Sequence, residues 1–110
     1  MHILLAEDHA LCRMAYAEML EMCGATVTAV RDGAEAVDAC RAGLYDVVLL
    51  DRYMDGLDGP RAAAEIRRVS PKTSLILLSA EHDIGTGIFD AVMTKPLQID
   101  RLERLVKNML

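Results

Sequence analysis

Two uninterrupted aliphatic segments, Val-Val-Leu-Leu at 47–50 and Leu-Ile-Leu-Leu at 75–78, constrain the fold more than any other feature of the sequence. A strand with one solvent-facing side alternates apolar and polar residues, whereas an uninterrupted segment is typical of a strand covered on both faces. Both segments belong to a set of five predicted strands, which cover residues 3–6, 26–30, 46–50, 74–79 and 91–94. The chain is therefore expected to contain a sheet between two layers of helices.

Helical patterns fill the intervals between these strands. Four helices are predicted, which begin near residues 9, 32, 58 and 98. In the first, apolar residues recur at the spacing of one helix face, at Cys12, Ala15, Tyr16, Met19, Leu20 and Cys23. In the third, Ile66 and Val69 are expected to face inward. Strands that alternate with helices predict a doubly wound α/β fold with a parallel sheet and right-handed crossovers.

The elements account for the whole length of 110 residues, so we expect one domain over 1–110. Only residues 81–90 separate the fourth strand from the fifth, and Gly85 and Gly87 within them disfavour a helix. We therefore expect the helix of this crossover, the fourth helix of a complete doubly wound fold, to be short or missing and residues 81–89 to be mobile.

The composition excludes several classes of protein. Hydrophobic residues make up 53% of the chain, which rules out intrinsic disorder, and the net charge of −5 argues against general nucleic-acid binding. The three cysteines form no CxxC motif, so we expect buried thiols in a reducing compartment. Acidic residues come too early for a signal peptide, and no apolar run approaches the roughly 20 residues of a membrane helix. We expect a cytoplasmic protein without a membrane segment.

Chemistry-bearing residues stand at the ends of the predicted strands: Glu7 and Asp8 after the first, Asp51 after the third, Ser79 at the end of the fourth and Lys95 after the fifth. The carboxyl ends of parallel strands meet at one edge of the sheet, where ligands of such folds bind. Three carboxylates in one place repel each other, and Mg²⁺ relieves that repulsion. Aspartate can accept a phosphoryl group covalently, and a metal, a lysine and a hydroxyl suit such a transfer.

The chain resembles the receiver (response regulator) domains of two-component signalling over nearly its whole length. The resemblance rests on fragments in a fixed order: Ile3-Leu4-Leu5-Ala6-Glu7-Asp8, Asp32-Gly33-Ala34-Glu35-Ala36, Tyr45-Asp46-Val47-Val48-Leu49-Leu50-Asp51, Met54 with Asp58-Gly59, Leu77-Leu78-Ser79-Ala80 and Lys95-Pro96. It implies a flavodoxin-like fold with strand order 2-1-3-4-5. The amino-acid sequence of the first helix is similar to that of receivers in hybrid kinases, so the chain is either a stand-alone protein or an excised receiver.

The resemblance also implies a role for each strand-end residue. Asp51 would be the phospho-acceptor, Ser79 the switch hydroxyl and Lys95 the ligand of a phosphate oxygen, and the bond to Pro96 would be cis. The Mg²⁺ ligands would be Glu7, Asp8, Asp51 and the backbone carbonyl of Tyr53.

The implied function is that of a phospho-accepting receiver in a phosphorelay. The donor would be a phospho-histidine of a histidine kinase or phosphotransfer protein, and the output would pass to a downstream protein target. Such a chain is not an enzyme beyond catalysing its own phosphorylation and dephosphorylation. Two alternatives stay open at this point: a receiver-like binding module that is never phosphorylated, and a small Mg²⁺-dependent phosphohydrolase.

The sequence departs from the family in two places near the expected site and output face. Asp55 stands where the family usually has proline, which adds negative charge and backbone freedom beside Asp51. Val92 stands where the family usually has an aromatic ring that rotates on phosphorylation. Together with the short fourth crossover, this predicts an atypical output face where the helix of that crossover and the fifth strand lie.

Three apolar residues of the first helix lie off its predicted buried face: Leu11, Met14 and Met22. They predict either an apolar surface on which a partner helix docks or scattered surface residues without a role.

Overall fold

The computed structural model describes residues 1–80 and 87–109. In these ranges strands and helices follow each other as β1 (His2–Ala6), α1 (Ala10–Met22), β2 (Thr26–Val30), α2 (Gly33–Ala42), β3 (Val47–Asp51), α3 (Gly59–Val69), β4 (Ser74–Ser79), β5 (Ala91–Thr94) and α4 (Ile99–Met109). The predicted strands are confirmed to within one residue. The shift in β3 makes Asp51 the last residue of the strand.

All five strands pair in parallel in the order β2-β1-β3-β4-β5, which confirms the expected topology. After β1 the chain first adds a strand on one side, and after β2 it crosses to the other side of β1 to form β3. The strand order therefore reverses between β1 and β3, and a crevice forms beyond the carboxyl ends of these two strands.

Two apolar cores lie on opposite faces of the sheet, which explains why β3 and β4 are continuously aliphatic. Val48, Leu50 and Leu77 pack with residues of α2 and α3 such as Val37 and Ile66. The intervening strand residues pack on the other face with α1 and α4, in a cluster that includes Leu49, Ile76, Leu78, Tyr16, Leu20 and Leu102.

Two expectations about helix faces are wrong. Ala15 is exposed on α1, where Tyr16 and Leu20 are the buried residues. Val69 is 41% exposed, although Ile66 one turn earlier is fully buried. Val69 is the last residue of α3, and the buried Ser70 after it is no longer helical, so the helical spacing no longer predicts burial there.

The connection between β4 and β5 is described only in part. The sequence predicts a short or missing helix and a mobile segment here. Residues 81–86 of that segment lie outside the described residues, and the described residues 87–90 contain no helix. Phe89 is buried in the core that α2 and α3 cover, and Ile88 packs against it. Arg67 of α3 donates hydrogen bonds to the carbonyl of Ile88 and to the carboxylate of Asp90, which ties this segment to α3.

Among the helices of the described ranges, none has the length and apolar character needed to cross a membrane.

Candidate functional site

The predicted site residues of β1, β3 and β5 meet at the carboxyl edge of the sheet. Each of Glu7, Asp8 and Asp51 offers a carboxylate oxygen within 4.8 Å of the others. The ammonium nitrogen Nζ of Lys95 lies 2.8 Å from Oδ2 of Asp51 and 3.2 Å from Oε1 of Glu7. Two acids that are 44 and 88 residues away from this lysine in sequence thus form one cluster of charges with it.

Burial shapes the charge of this cluster. Glu7 is 1% exposed and Asp51 is 6% exposed. Burial, together with the hydrogen bond and the charge of Asp51, raises the pKa of Glu7 to about 7, and Lys95 offsets this only in part. Burial opposes the charge of Lys95, but the hydrogen bonds and charges of both carboxylates outweigh it, so the pKa of Lys95 lies above its usual value. The site therefore favours a bound cation.

Asp8 makes the cluster accessible from solvent. Its side chain is exposed, in contrast to those of Glu7 and Asp51. Three carboxylates, one of them open to water, are the oxygen donors that Mg²⁺ prefers, and Mg²⁺ keeps several of its own waters in such open sites. The residues present therefore fit this ion.

Ser79 is the buried last residue of β4 and pairs with Thr94 of β5. The backbone N–H of Lys95 donates to the carbonyl of Ser79 over 2.8 Å, so Ser79 and Lys95 are neighbours at the edge of the sheet. The peptide bond between Lys95 and Pro96 is cis, as expected. On the side of α1, burial raises the pKa of the Tyr16 hydroxyl, and Lys95 and the backbone of Leu97, just after this bond, lower it in part.

The loop after β3 leads directly into α3. Asp58 accepts a hydrogen bond from the backbone N–H of Arg61 and caps the helix, and Gly56 adopts a left-handed conformation with φ +78°. The ring of Tyr53 is 65% exposed, and the guanidinium carbon of Arg52 lies 5.4 Å from its centroid. Asp55 is exposed, so the added charge at this position lies in solvent. The predicted metal contact of the Tyr53 carbonyl stays a prediction.

Sequence reasoning missed the role of two residues at the start of α1, one before the helix and one in its first turn. The guanidinium Nη1 of Arg13 donates to the backbone carbonyl of Glu7 over 3.0 Å and lies 3.5 Å from that of Asp8. His9, rather than an acidic residue, caps α1, since its Nδ1 accepts from the backbone N–H of Cys12. Helical side chains lean toward the N-terminus of their helix, so an arginine one turn inside α1 is a signal for a contact with the preceding loop.

The three apolar residues proposed to dock a partner are exposed on α1. The exposed fractions are 73% for Leu11, 63% for Met14 and 76% for Met22. Their exposure is confirmed, whereas docking itself stays a prediction.

The model of the response regulator receiver domain family matches residues 3–107. The chain belongs to this family. The receiver is 33% identical over 97% of its length to the transcription factor SKN7 of Candida albicans, and 35% identical over 92% of its length to the transcriptional regulatory protein YkoG of Bacillus subtilis. It spans 20% of SKN7 and 47% of YkoG, so both relatives are much longer than the receiver.

Solved structures of receivers have the same fold. The receiver domain of the sensor histidine kinase PA1611 from Pseudomonas aeruginosa has a TM-score of 0.91 and 30% identity, and the alignment covers 98% of this chain and 95% of the other. The response regulator TrrA from Thermotoga maritima has a TM-score of 0.91 and 31% identity, with 99% and 98% covered. The PA1611 structure has a magnesium ion in its active-site cleft, and the TrrA structure is a complex with Mg²⁺ and BeF.

Proposed function

We propose that this receiver takes a phosphoryl group from a phospho-histidine donor onto Asp51 in a Mg²⁺-dependent reaction. The observation that carries the proposal is the position of the Lys95 ammonium, 2.8 Å from the carboxylate of Asp51. Asp51 in turn belongs to a cluster of three carboxylates that can bind a cation. A buried carboxylate beside a fixed positive charge and an acidic pair has the parts that phosphoryl transfer to aspartate requires.

In the proposed step, a carboxylate oxygen of Asp51 attacks the phosphorus atom of the donor. The new P–O bond forms as the P–N bond to the donor imidazole breaks, and the departing ring nitrogen keeps the electron pair and takes up a proton. Lys95 neutralises charge on the phosphoryl oxygens, and the hydroxyl of Ser79 donates a hydrogen bond to one of them. Bound Mg²⁺ would supply further compensation of the phosphoryl charge.

The proposed metal ligands are Glu7, Asp8, Asp51 and the backbone carbonyl of Tyr53. The mutual distances of the three carboxylates and the exposure of Asp8 support this set. The magnesium ion in the cleft of the PA1611 receiver, which shares the fold, supports it as well.

A histidine kinase or a histidine phosphotransfer protein is the proposed donor, and Leu11, Met14 and Met22 are its proposed docking surface. The helix that carries these residues starts two residues after Asp8. At about 1.5 Å of rise per residue, Met14 lies about 6 Å along the helix from its first residue, Ala10, and Met22 about 18 Å. Leu11 and Met14 are therefore well placed to contact a protein whose histidine reaches Asp51.

Output is proposed to pass through protein contacts at an atypical face beside β5. Val92 is half-buried and packs against the core under α2 and α3. A valine side chain of this size cannot carry out the ring rotation that an aromatic residue would provide. The readout of phosphorylation is therefore proposed to differ from that of receivers with an aromatic residue here.

The chain is proposed to act as one receiver domain over 1–110 that modifies only its own aspartate. A cytoplasmic location is part of the proposal, because Cys12, Cys23 and Cys40 are free thiols, which suits a reducing compartment.

Labelling with acetyl phosphate tests the acceptor directly. We expect wild-type protein to be phosphorylated in Mg²⁺ and not in EDTA, as measured by phosphate-affinity electrophoresis. Asp51→Asn should abolish labelling. Asp38→Asn, which changes a carboxylate that is 78% exposed on α2, is the matched control and should label like wild type.

The outcomes separate the competing functions. Labelling that survives in Asp51→Asn would show that another residue is the acceptor. A wild-type protein that neither labels nor accepts phosphate from any donor would instead support the receiver-like binding module. Steady turnover of a phosphoester substrate would support the phosphohydrolase.

A further inference from the structure

The backbone of Glu7 is held by two different elements, through the N–H of the peptide group before it and the carbonyl of the peptide group after it. The backbone N–H of Glu7 donates to the carbonyl of Val30, the last residue of β2, over 3.1 Å. The carbonyl of Glu7 accepts from Nη1 of Arg13 on α1 over 3.0 Å. Glu7 follows the last residue of β1, Ala6, so Arg13 supplies this carbonyl with a partner where the pairing of β1 in the sheet has ended.

The orientation of the peptide group between Glu7 and Asp8 determines where the carboxylates of these two residues point. Rotation of the peptide plane changes ψ of Glu7 and φ of Asp8 together, because both torsions adjoin it. The same nitrogen of Arg13 also lies 3.5 Å from the carbonyl of Asp8. A single guanidinium therefore contacts both carbonyls of the acidic pair, without touching either carboxylate in the described contacts.

We propose that Arg13 is a positioning residue that directs the carboxylates of Glu7 and Asp8 toward Asp51 and thereby sets the affinity for Mg²⁺. The inference rests on the proposed function, since it assigns the acidic pair to the metal. Residues that orient metal ligands from the outer shell change metal affinity about 10- to 100-fold when they are replaced.

The charge of Arg13 and its contacts with the two carbonyls predict opposite changes in Mg²⁺ affinity when Arg13 is replaced. A guanidinium near the site repels a divalent cation, so loss of its charge alone would tighten Mg²⁺ binding. Loss of the two carbonyl contacts would loosen the acidic pair and weaken binding. Arg13→Met removes both the charge and the contacts, whereas Arg13→Lys keeps the charge but replaces the planar guanidinium, whose Nη1 makes both contacts, by an ammonium on a shorter side chain.

The experiment is a titration of the full chain with Mg²⁺, followed by NMR through the amide signals of Glu7, Asp8 and Asp51. We expect the dissociation constant to rise about tenfold in Arg13→Met and in Arg13→Lys. Arg101→Met, which changes an exposed arginine on α4, is the matched control and should bind like wild type. The melting temperature in EDTA, measured for each variant, shows whether the fold is intact.

Each possible outcome of the titration either supports or overturns the inference. Weaker binding in both variants with an unchanged fold supports positioning. Tighter binding in Arg13→Met, or unchanged binding in Arg13→Lys, overturns the inference while the proposed function stands. A wild-type protein that binds no Mg²⁺ overturns the proposed metal site and the inference with it. If Arg13→Met does not fold, Arg13→Lys decides alone.

Discussion

The backbone carbonyl of Asp51 occupies the space that a side chain at position 59 would need, so Gly59 lets the start of α3 pack directly on the end of β3. The backbone N–H of Gly59 also donates to the carbonyl of Arg52, which closes the loop that follows the proposed phospho-acceptor. The position of Asp51 thus depends on a glycine eight residues later.

Gly59→Ala is expected to destabilise the protein by about 1–3 kcal/mol, because a methyl group would push α3 away from β3. Urea denaturation measures this change, and labelling with acetyl phosphate should slow because Asp51 shifts. Gly43→Ala is the matched control, since nothing lies within 4 Å of the added atom at that helix end. Equal stabilities of the two variants would contradict the close packing.

Asp90→Ala is expected to cost about 1–3 kcal/mol of stability, mainly because it leaves the N–H of Leu75 without its acceptor. Oδ2 of Asp90 accepts from this N–H over 2.8 Å and from Arg67 over 3.1 Å. The ion pair with Arg67 is partly exposed and adds little by itself. The control Asp38→Ala, on the surface of α2, should change the free energy of unfolding by no more than about 0.5 kcal/mol. An equal loss of stability in this control would contradict the role of Asp90.

The stabilisation that Mg²⁺ gives should grow as the pH rises. Because the pKa of Glu7 is raised to about 7, the folded protein without metal keeps a proton on Glu7 between pH 4.5 and about 7 that the unfolded chain has lost. The free energy of unfolding without metal therefore falls as the pH rises through this window. Mg²⁺ binds the ionised carboxylate, so its effect is largest above the window.

Melting temperatures in Mg²⁺ and in EDTA, from about pH 5 to about pH 8, check this prediction. Glu7→Gln should flatten the pH dependence of the difference. Glu18→Gln, at an exposed position of α1, should leave it as in wild type. A difference that does not vary with pH in the wild type would mean that Glu7 is ionised throughout.

Met14→Glu is expected to slow phosphotransfer from a phospho-histidine protein about tenfold, the effect of losing one central apolar contact of about 1.4 kcal/mol. Met14 is 63% exposed, so the substitution should leave the fold and the labelling by acetyl phosphate unchanged. Leu44→Glu, which changes an 86% exposed residue between α2 and β3, is the control for an added charge. An unchanged rate of phosphotransfer from the protein donor would contradict the proposal that α1 is the docking surface.

Much of the fold could be predicted because its signals are local. The continuous aliphatic segments of β3 and β4 require cover on both faces, and Asp32 and Asp58 cap α2 and α3 as their spacing indicates. The limits of β2, β4 and β5 agree with the prediction for the same reason. A set of strand-end acids and a lysine then follows from parallel pairing, which brings all carboxyl ends to one edge.

The amino-acid sequence alone was enough to predict the order of the elements, the parallel sheet and the group of residues at its carboxyl edge. It could not reveal that Glu7 is almost completely buried while Asp8 is exposed, that Arg13 bonds to the backbone of this pair, or that Ala15 and Val69 face solvent. Those features depend on how α1 and α3 lie against the sheet and where each helix ends. Periodicity and capping are properties of neighbouring residues, whereas burial and interatomic distance arise only when segments far apart in the chain pack together.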